Sequence, residues 1–170
     1  MPHLAQVNVA RLLAPLDAPS MQGFVGAIAA IDRLAAASPG FLWRYGGEDG
    51  HGVSVQPAEG GPVFVNISLW TDYDALHQFV YRSTHAGYLR QRSRWFAATP
   101  QPATALWWVT PGVHPAVDDA LRRLRFLRDH GPTPRVFSLR RRFDPDGRPA
   151  TRRRSGAAGA PQRIERAQRG

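Results

Sequence analysis

Residues Val63–Trp70, with the sequence VFVNISLW, alternate in a way that determines the architecture of this 170-residue chain. Successive side chains of a β-strand point to opposite faces of the sheet. One face therefore receives the aliphatic residues Val63, Val65, Ile67 and Leu69, and the other receives Phe64, Asn66, Ser68 and Trp70. The stretch predicts a strand in a sheet whose two faces lie in different environments.

The same kind of pattern predicts the other elements of an α+β domain. Strands are expected at residues 4–10, 41–45, 63–70 and 103–109, and helices from residue 20 to 38 and from residue 72 onward. The strand at 41–45 should pair with the strand at 63–70, since only a turn-rich segment separates them. The order β-α-β-β-α-β predicts a ferredoxin-like antiparallel sheet with helices on one face.

An extra helix and a tail follow these elements. Residues 114–131 begin with His-Pro, place Asp118 and Asp119 in the first turn and stop at Gly131, which predicts a C-terminal helix. Residues 136–143 predict a short edge strand, because arginines protect a sheet edge. From residue 144 the periodic apolar residues cease, so we expect a domain at 1–143 and a disordered Arg-rich tail at 144–170.

The charge and composition narrow the possible functions. The formal charge of +9 comes mostly from residues 135–170, which hold 11 Arg against 3 acidic residues. The body is nearly neutral, so we expect no specific nucleic-acid partner. All basic residues are Arg, which is typical of a GC-rich, bacterial genome. The chain has no Cys and no long apolar run, which excludes a thiolate nucleophile and a membrane span and favours a cytoplasmic protein.

A sheet with its helices on one face needs a cover for the other face. That face would carry Gln6, Asn8, Phe64, Asn66, Ser68, Trp70 and one Trp of the 107–108 pair. It is too aromatic for bare solvent and too polar for an ordinary core. A partner subunit laid sheet against sheet around a cavity satisfies both conditions. We therefore predict a homodimer that binds a small aromatic ligand.

The segment at residues 79–96, FVYRSTHAGYLRQRSRWF, combines ionisable and aromatic residues in a helical pattern. Its apolar stripe changes sides, which predicts a helix break at Ser83-Thr84 and a second helix. His85 and Arg92 fall within the apolar arc of that second helix. His85 is either a structural histidine or a neutral base at a cavity edge. Arg92 either holds an anionic group of the ligand or makes an internal ion pair.

The chain resembles a family known as domain of unknown function 3291. The resemblance rests on VNISLWTDYDALHQFVYRSTHAGYLRQRSRWF, LWWVTPGVHP and GPTPRVFSL and covers roughly residues 3–140. That family is similar to the dimeric α/β-barrel superfamily, which includes antibiotic-biosynthesis monooxygenases and haem-degrading monooxygenases. The resemblance implies a dimeric α/β barrel.

The resemblance also implies candidate site residues. Cofactor-independent, quinone-forming monooxygenases of that superfamily use a strand Asn and a Trp four residues later, which match Asn66 and Trp70. With His85 as base, these three residues are the expected catalytic set, without a cofactor or metal. The expected substrate-binding residues are Asn8, Arg92, Tyr81, Ser68 and Trp108.

Alternatives remain open at this point. Asn66 and Trp70 are equally compatible with packing at a dimer contact, in which case the protein is a non-catalytic binding or accessory protein. The haem-degrading branch has an Asn on the first strand, as Asn8 would be. In the second helix, however, Phe79 occupies the position where that branch has a Trp, so haem chemistry is the weaker match.

Overall fold

The computed structural model describes residues 1–46, 54–56, 61–82 and 92–150. Within them the strands are β1 His3–Leu12, β2 Phe41–Arg44, β3 Ser54–Gln56, β4 Val63–Trp70, β5 Phe96–Ala97 and β6 Thr104–Val109. The α-helices are α1 Gln22–Ala36, α2 Tyr73–Arg82 and α3 Val117–His130, and short 3-10 turns occupy Pro19–Met21 and Arg92–Arg94. None of the helices in these ranges combines the length and apolar character needed to cross a bilayer.

The strands form one antiparallel sheet with β1 and β4 at its centre. Asn8 of β1 lies directly opposite Asn66 of β4. β6 pairs with the other side of β1, and β2 and β3 pair with β4. The predicted pairing of the 41–45 segment with β4 is confirmed, whereas β3 was not predicted. The α+β class and the antiparallel sheet are as the sequence predicts.

The helices, however, lie on both faces of the sheet. Helices α1 and α2 cover the mixed face, where Phe24 and Ile28 pack near Phe64 and where Leu76 and Phe79 pack near Trp70. Helices α1 and α2, the two helices of the ferredoxin-like order, thus share one face as predicted, but that face is the mixed one and not the aliphatic one. The rings at the two ends of the mixed face offer α1 and α2 apolar surface to bury.

Helix α3 covers the aliphatic face instead. Leu124 and Leu127 are buried against Val7, Ile67 and their aliphatic neighbours. In the described part of the chain both sheet faces are thus covered by helices of the same protomer. The argument for a homodimer from a bare polar face does not hold, and the dimer stays a prediction that native mass spectrometry would test.

The segment after α3 returns along the edge of the sheet. Phe137 and Leu106 exchange backbone hydrogen bonds of 2.8 and 2.9 Å. An isolated β-bridge to β6 therefore forms where an edge strand was predicted. Phe143 is buried, and residues 144–148 form a turn in which the Asp144 carboxylate accepts from the Arg148 amide at 2.8 Å. Asp-Pro-Asp-Gly builds this turn, so the described structure continues past residue 143, and the division of the chain at that residue stays a prediction. Residues 151–170 lie outside the described ranges.

Candidate functional site

A small cavity lies between the mixed face of the sheet and helices α1 and α2, with a volume of about 50 Å³. Its floor consists of the polar side chains Gln6, Asn8, Asn66 and Ser68 from β1 and β4. Three aromatic rings line it, those of Phe41, Trp70 and Phe79, and the remaining lining residues are Ile31, Asp32, Ala35, Arg44 and Val80. The cavity thus combines a polar floor with apolar and aromatic walls.

The Trp70 indole is fixed by rings and by a hydrogen bond. Its ring meets Phe41 edge-on at 5.3 Å between centroids and lies 5.1 Å from Phe79. Trp70 Nε1 donates to Ser68 Oγ at 2.9 Å, and Ser68 Oγ donates to Gln6 Oε1 at 3.2 Å. Trp70 is only 1% exposed. The indole N–H is therefore engaged within the protein, and Trp70 presents its ring rather than a donor to the cavity.

The side-chain amides of the floor differ in how they are held. Asn8 Oδ1 accepts a hydrogen bond from the Thr104 hydroxyl at 3.0 Å, and Gln6 Oε1 accepts from Ser68. Each of these amide oxygens accepts one hydrogen bond, and the NH2 groups of Asn8 and Gln6 donate to none of the described residues, so these NH2 groups are the donors that the two side chains offer to a ligand. Among the described residues, no hydrogen bond occupies the Asn66 side-chain amide. The floor is consequently rich in uncharged hydrogen-bond donors.

An ion pair lies beside the polar floor of the cavity. Arg44, at the end of β2, pairs with Asp32 of α1, and the two side chains are 20% and 17% exposed. Burial lowers the pKa of Arg44, because desolvation disfavours the charged guanidinium. The Asp32 carboxylate offsets the positive charge, so this wall presents a neutralised pair to the cavity.

The structure brings together half of the site residues predicted from the sequence. Asn8, Asn66, Ser68 and Trp70 converge on the cavity, as their shared face requires. The pairing of β1 with β4 places the two asparagines side by side. This convergence agrees with the alternation of the two strands, and it occurs beneath α1 and α2 of the same protomer.

The other predicted residues lie elsewhere. Arg92 is exposed in a 3-10 turn, and Tyr81 is half-exposed on α2, with its ring 4.8 Å from that of His77. Trp108 Nε1 donates to the Phe143 carbonyl at 2.9 Å, which ties it to the C-terminal segment. None of these three is among the described residues that line the cavity. His85, the predicted base, lies outside the described residues.

Sequence reasoning did not identify Asp32 and Arg44 as part of the site. They are twelve residues apart on different elements, so no local spacing connects them. A signal was nevertheless present, because Asp32 is the only acidic residue in α1 and, together with Arg33, ends the apolar run Phe24–Ile31 of that helix. An acidic residue on such a helix is expected to have a partner.

The family model for the domain of unknown function 3291 matches residues 3–153. The match spans most of the 170 residues and includes every strand and helix described above. A search of curated proteins finds no match to this chain.

Several solved structures resemble the fold. A protein of unknown function from Nitrosomonas europaea is 14% identical, with 68% of this chain and 97% of that chain covered and a TM-score of 0.44. SnoaB, a cofactor-independent oxygenase from Streptomyces nogalater, is 15% identical, with 69% and 98% covered and a TM-score of 0.41. A Streptomyces coelicolor monooxygenase in complex with nanaomycin D is 18% identical, with 68% and 93% covered and a TM-score of 0.37. At these identities the likeness does not establish a shared activity.

Proposed function

The chain belongs to the family called domain of unknown function 3291, and we propose that its cavity binds the oxygen-bearing edge of an aromatic or polyketide-like molecule. We further propose that the bound molecule is a phenol or enol that is oxygenated without a cofactor. The donor-rich floor beneath aromatic walls is the observation that supports this proposal.

The floor suits an oxygen that carries negative charge. The oxygens of Asn8 and Gln6 accept from Thr104 and Ser68, and their amide NH2 groups, which donate to none of the described residues, are the donors for the ligand. Uncharged donors fixed before the ligand arrives stabilise a phenolate or enolate oxygen without reorganising. The Asn66 amide, which can present either its oxygen or its NH2 group, can orient the protonated form.

The walls and the volume limit what enters. The ring of Trp70, held between Phe41 and Phe79, provides an aromatic surface for a planar ligand. A cavity that encloses benzene has a volume of roughly 150 Å³, about three times the 50 Å³ found here. The cavity therefore admits the hydroxyl-bearing edge of a ring, and the rest of the ligand extends beyond it.

The reaction needs only the phenol and O2. A phenolate can reduce O2 by one electron, and recombination of the radical pair forms a carbon–oxygen bond at the position para to the oxygen. Loss of water then gives a quinone, so that a phenol and O2 yield a quinone and water in balance. The protein supplies stabilisation of the phenolate, orientation of the ring, and a base, which we propose is His85.

Binding without turnover is the second candidate function. Asp32, the only carboxylate among the described lining residues, is paired with Arg44. A carboxylate held by a guanidinium is a weak base, so proton removal depends on a group outside the described residues. If no such group acts, the cavity binds its ligand and releases it unchanged.

Haem fits this cavity poorly. The volume of about 50 Å³ is far below that of a macrocycle, and the described lining residues include no His, Tyr, Cys or Met that could ligate iron. Within the described ranges, Asn8 on the first strand is the only feature of the haem-degrading pattern that this chain retains, so we derive no haem chemistry.

The test measures binding and oxygen uptake on the same samples. The purified protein is titrated with 1-naphthol, naphthalene and a single-ring phenol, and O2 consumption is followed with an electrode. We expect the phenols to bind and naphthalene to bind at least several-fold more weakly, since it lacks the oxygen that the floor recognises.

Asn66→Leu should weaken phenol binding about tenfold, which corresponds to one lost hydrogen bond. Gln22→Leu makes the same amide-to-leucine change at an exposed position of α1 and should have no effect. Binding without O2 uptake would favour the non-catalytic candidate. Equal affinity for 1-naphthol and naphthalene would refute recognition of the oxygen by the floor.

A further inference from the structure

A second and larger depression lies at the edge of the sheet, with a volume of about 520 Å³. It is bounded by residues 101–104 at the start of β6, by Leu127 and Arg128 near the end of α3, by Gly131 and Pro132, and by residues 138–140. We call it the edge groove. Its volume lies within the range of roughly 300–1,000 Å³ that is usual for small-molecule sites.

The groove carries positive charge. Arg128 and Arg140 line it, and none of its described lining residues is acidic. Arg128 is held in place, because its Nε donates to the Pro102 carbonyl at 2.9 Å and its Nη2 donates to the Pro100 carbonyl at 3.1 Å. Arg140 is exposed and lines the same groove. Two guanidinium groups thus border one space, and that of Arg128 is held by backbone carbonyls.

The pKa of Arg128 reflects this position. Burial lowers it, since desolvation disfavours the charge, and the neighbouring Asp129 carboxylate raises it by a smaller amount. The carbonyls that Arg128 contacts are dipoles without net charge, so its positive charge is not neutralised by them. An anion bound beside Arg128 would provide that counter-charge.

A backbone N–H group at the sheet edge adds to the preference of the edge groove for an anionic ligand. Leu106 exchanges both backbone hydrogen bonds with Phe137 on the side away from β1. Thr104, two residues earlier on the same strand, directs its backbone N–H to that same side, because alternate residues share a direction in an antiparallel strand. The Thr104 N–H is therefore a donor at the groove, next to the two arginines.

Apolar side chains also line the groove, alongside the uncharged polar residues Gln101, Thr104 and Ser138. The side chains of Leu127, Leu139, Pro102 and Pro132 line the groove beside the charged groups. Apolar area removed from water stabilises a ligand by roughly 25 cal/mol per Å². The groove consequently matches a molecule with an apolar body and one anionic end.

We propose that the edge groove binds a small amphipathic carboxylate, with its anionic end at Arg128 and Arg140 and its apolar body against Leu139 and Pro132. This site is separate from the cavity under α1 and α2. The two sites have one link, because Thr104 lines the groove while its hydroxyl holds Asn8 in the cavity floor.

The probe is sodium octanoate, titrated into the full-length protein by isothermal calorimetry, with 1-octanol and octylamine as neutral and cationic counterparts. We expect saturable binding of octanoate at one site and at least tenfold weaker binding of the other two, because the two guanidinium groups recognise the charge. Equal binding of octanoate and 1-octanol would overturn the proposal.

Variants locate the binding. Arg140→Gln removes an exposed arginine which, unlike Arg128, does not hold the Pro100 and Pro102 carbonyls, so the fold should persist. Octanoate should bind to this variant about tenfold more weakly. Arg140→Glu should weaken binding further. Arg125→Gln changes an exposed arginine of α3 outside the groove and is the matched control. Octanoate affinity that is unchanged in both Arg140 variants would refute the groove as the site.

Two further outcomes would also refute it. If Asn66→Leu abolishes octanoate binding while Arg140→Gln does not, the carboxylate occupies the cavity rather than the groove. If octanoate does not bind and Arg140→Gln changes the sedimentation coefficient of the protein, the groove is a contact between copies of the chain. Since octanoate is not a phenol, failure here leaves the proposed oxygenation unaffected.

Discussion

Replacing Ser68 with Ala should expose how strongly the cavity floor depends on one hydroxyl. Ser68 is 8% exposed, and its Oγ is the acceptor for Trp70 Nε1 and the donor to Gln6 Oε1. The substitution removes both hydrogen bonds and leaves the buried indole N–H without its partner. A buried donor that loses its partner costs about 1–3 kcal/mol. We expect the free energy of unfolding to fall by that amount.

A double-mutant cycle separates this cost from general effects of the substitution. Trp70→Phe removes the indole N–H and also reduces packing against Phe41 and Phe79. In the Trp70→Phe background, Ser68→Ala no longer orphans a donor, so it should cost less than it does in the wild type. The coupling energy between the two positions should be about 1 kcal/mol or more.

The assay is urea denaturation followed by circular dichroism, because Trp70 itself changes in two of the variants and fluorescence would confound the comparison. The free energies of unfolding of the four proteins are compared directly if the slope of free energy against urea concentration is the same in all of them. A cost of Ser68→Ala below about 0.5 kcal/mol would refute the reasoning. Additive losses in the double variant would equally show that Ser68 and Trp70 do not depend on each other.

Three further substitutions test other parts of the structure. Asp32→Asn leaves the Arg44 guanidinium without its counter-charge and should lower the free energy of unfolding by about 1–3 kcal/mol in urea denaturation. A loss as small as that of a fully exposed ion pair would contradict the part-buried pairing. Thr104→Val removes the hydrogen bond to the Asn8 amide and should lower the free energy of unfolding by about 1 kcal/mol. It should also weaken the binding of 1-naphthol, and an unchanged affinity would contradict this expectation. Leu124→Ala should cost about 2–5 kcal/mol, and a loss below 1 kcal/mol would show that α3 does not pack on the sheet.

The alternation of two strands was enough to predict four of the twelve described residues that line the cavity. Asn66, Ser68 and Trp70 share one face by the period of a strand, and Asn8 joins them once β1 pairs with β4. These positions follow from local geometry and one pairing, both of which the sequence specifies well. The prediction for Arg92 needed the axial rotation of a second helix, which a stripe of residues indicates only loosely.

Which helices cover which face could not be read from the pattern. Helices α1 and α3 both have an apolar stripe, and either stripe could bury an aliphatic sheet face. The choice depends on complementarity over long sequence distances, such as Phe24 against Phe64, at 5.2 Å between centroids. The ion pair of Asp32 with Arg44 has the same character, because it forms only after α1 and β2 are packed.

The cavity itself follows from the same alternation. Two apolar clusters pack α1 and α2 onto the mixed face, one around Phe24 and Phe64 and the other around Trp70 and Phe79. Between the clusters the face carries amides and hydroxyls, which lose hydrogen-bonding opportunities if apolar helix atoms press onto them. The helices are therefore held at the two ends and cannot close over the polar middle without a cost of about 1–3 kcal/mol for each unpaired group. The polar residues of the mixed face, which by sequence looked too polar for a core, thus maintain a small polar cavity inside the core. We place the ligand in this cavity.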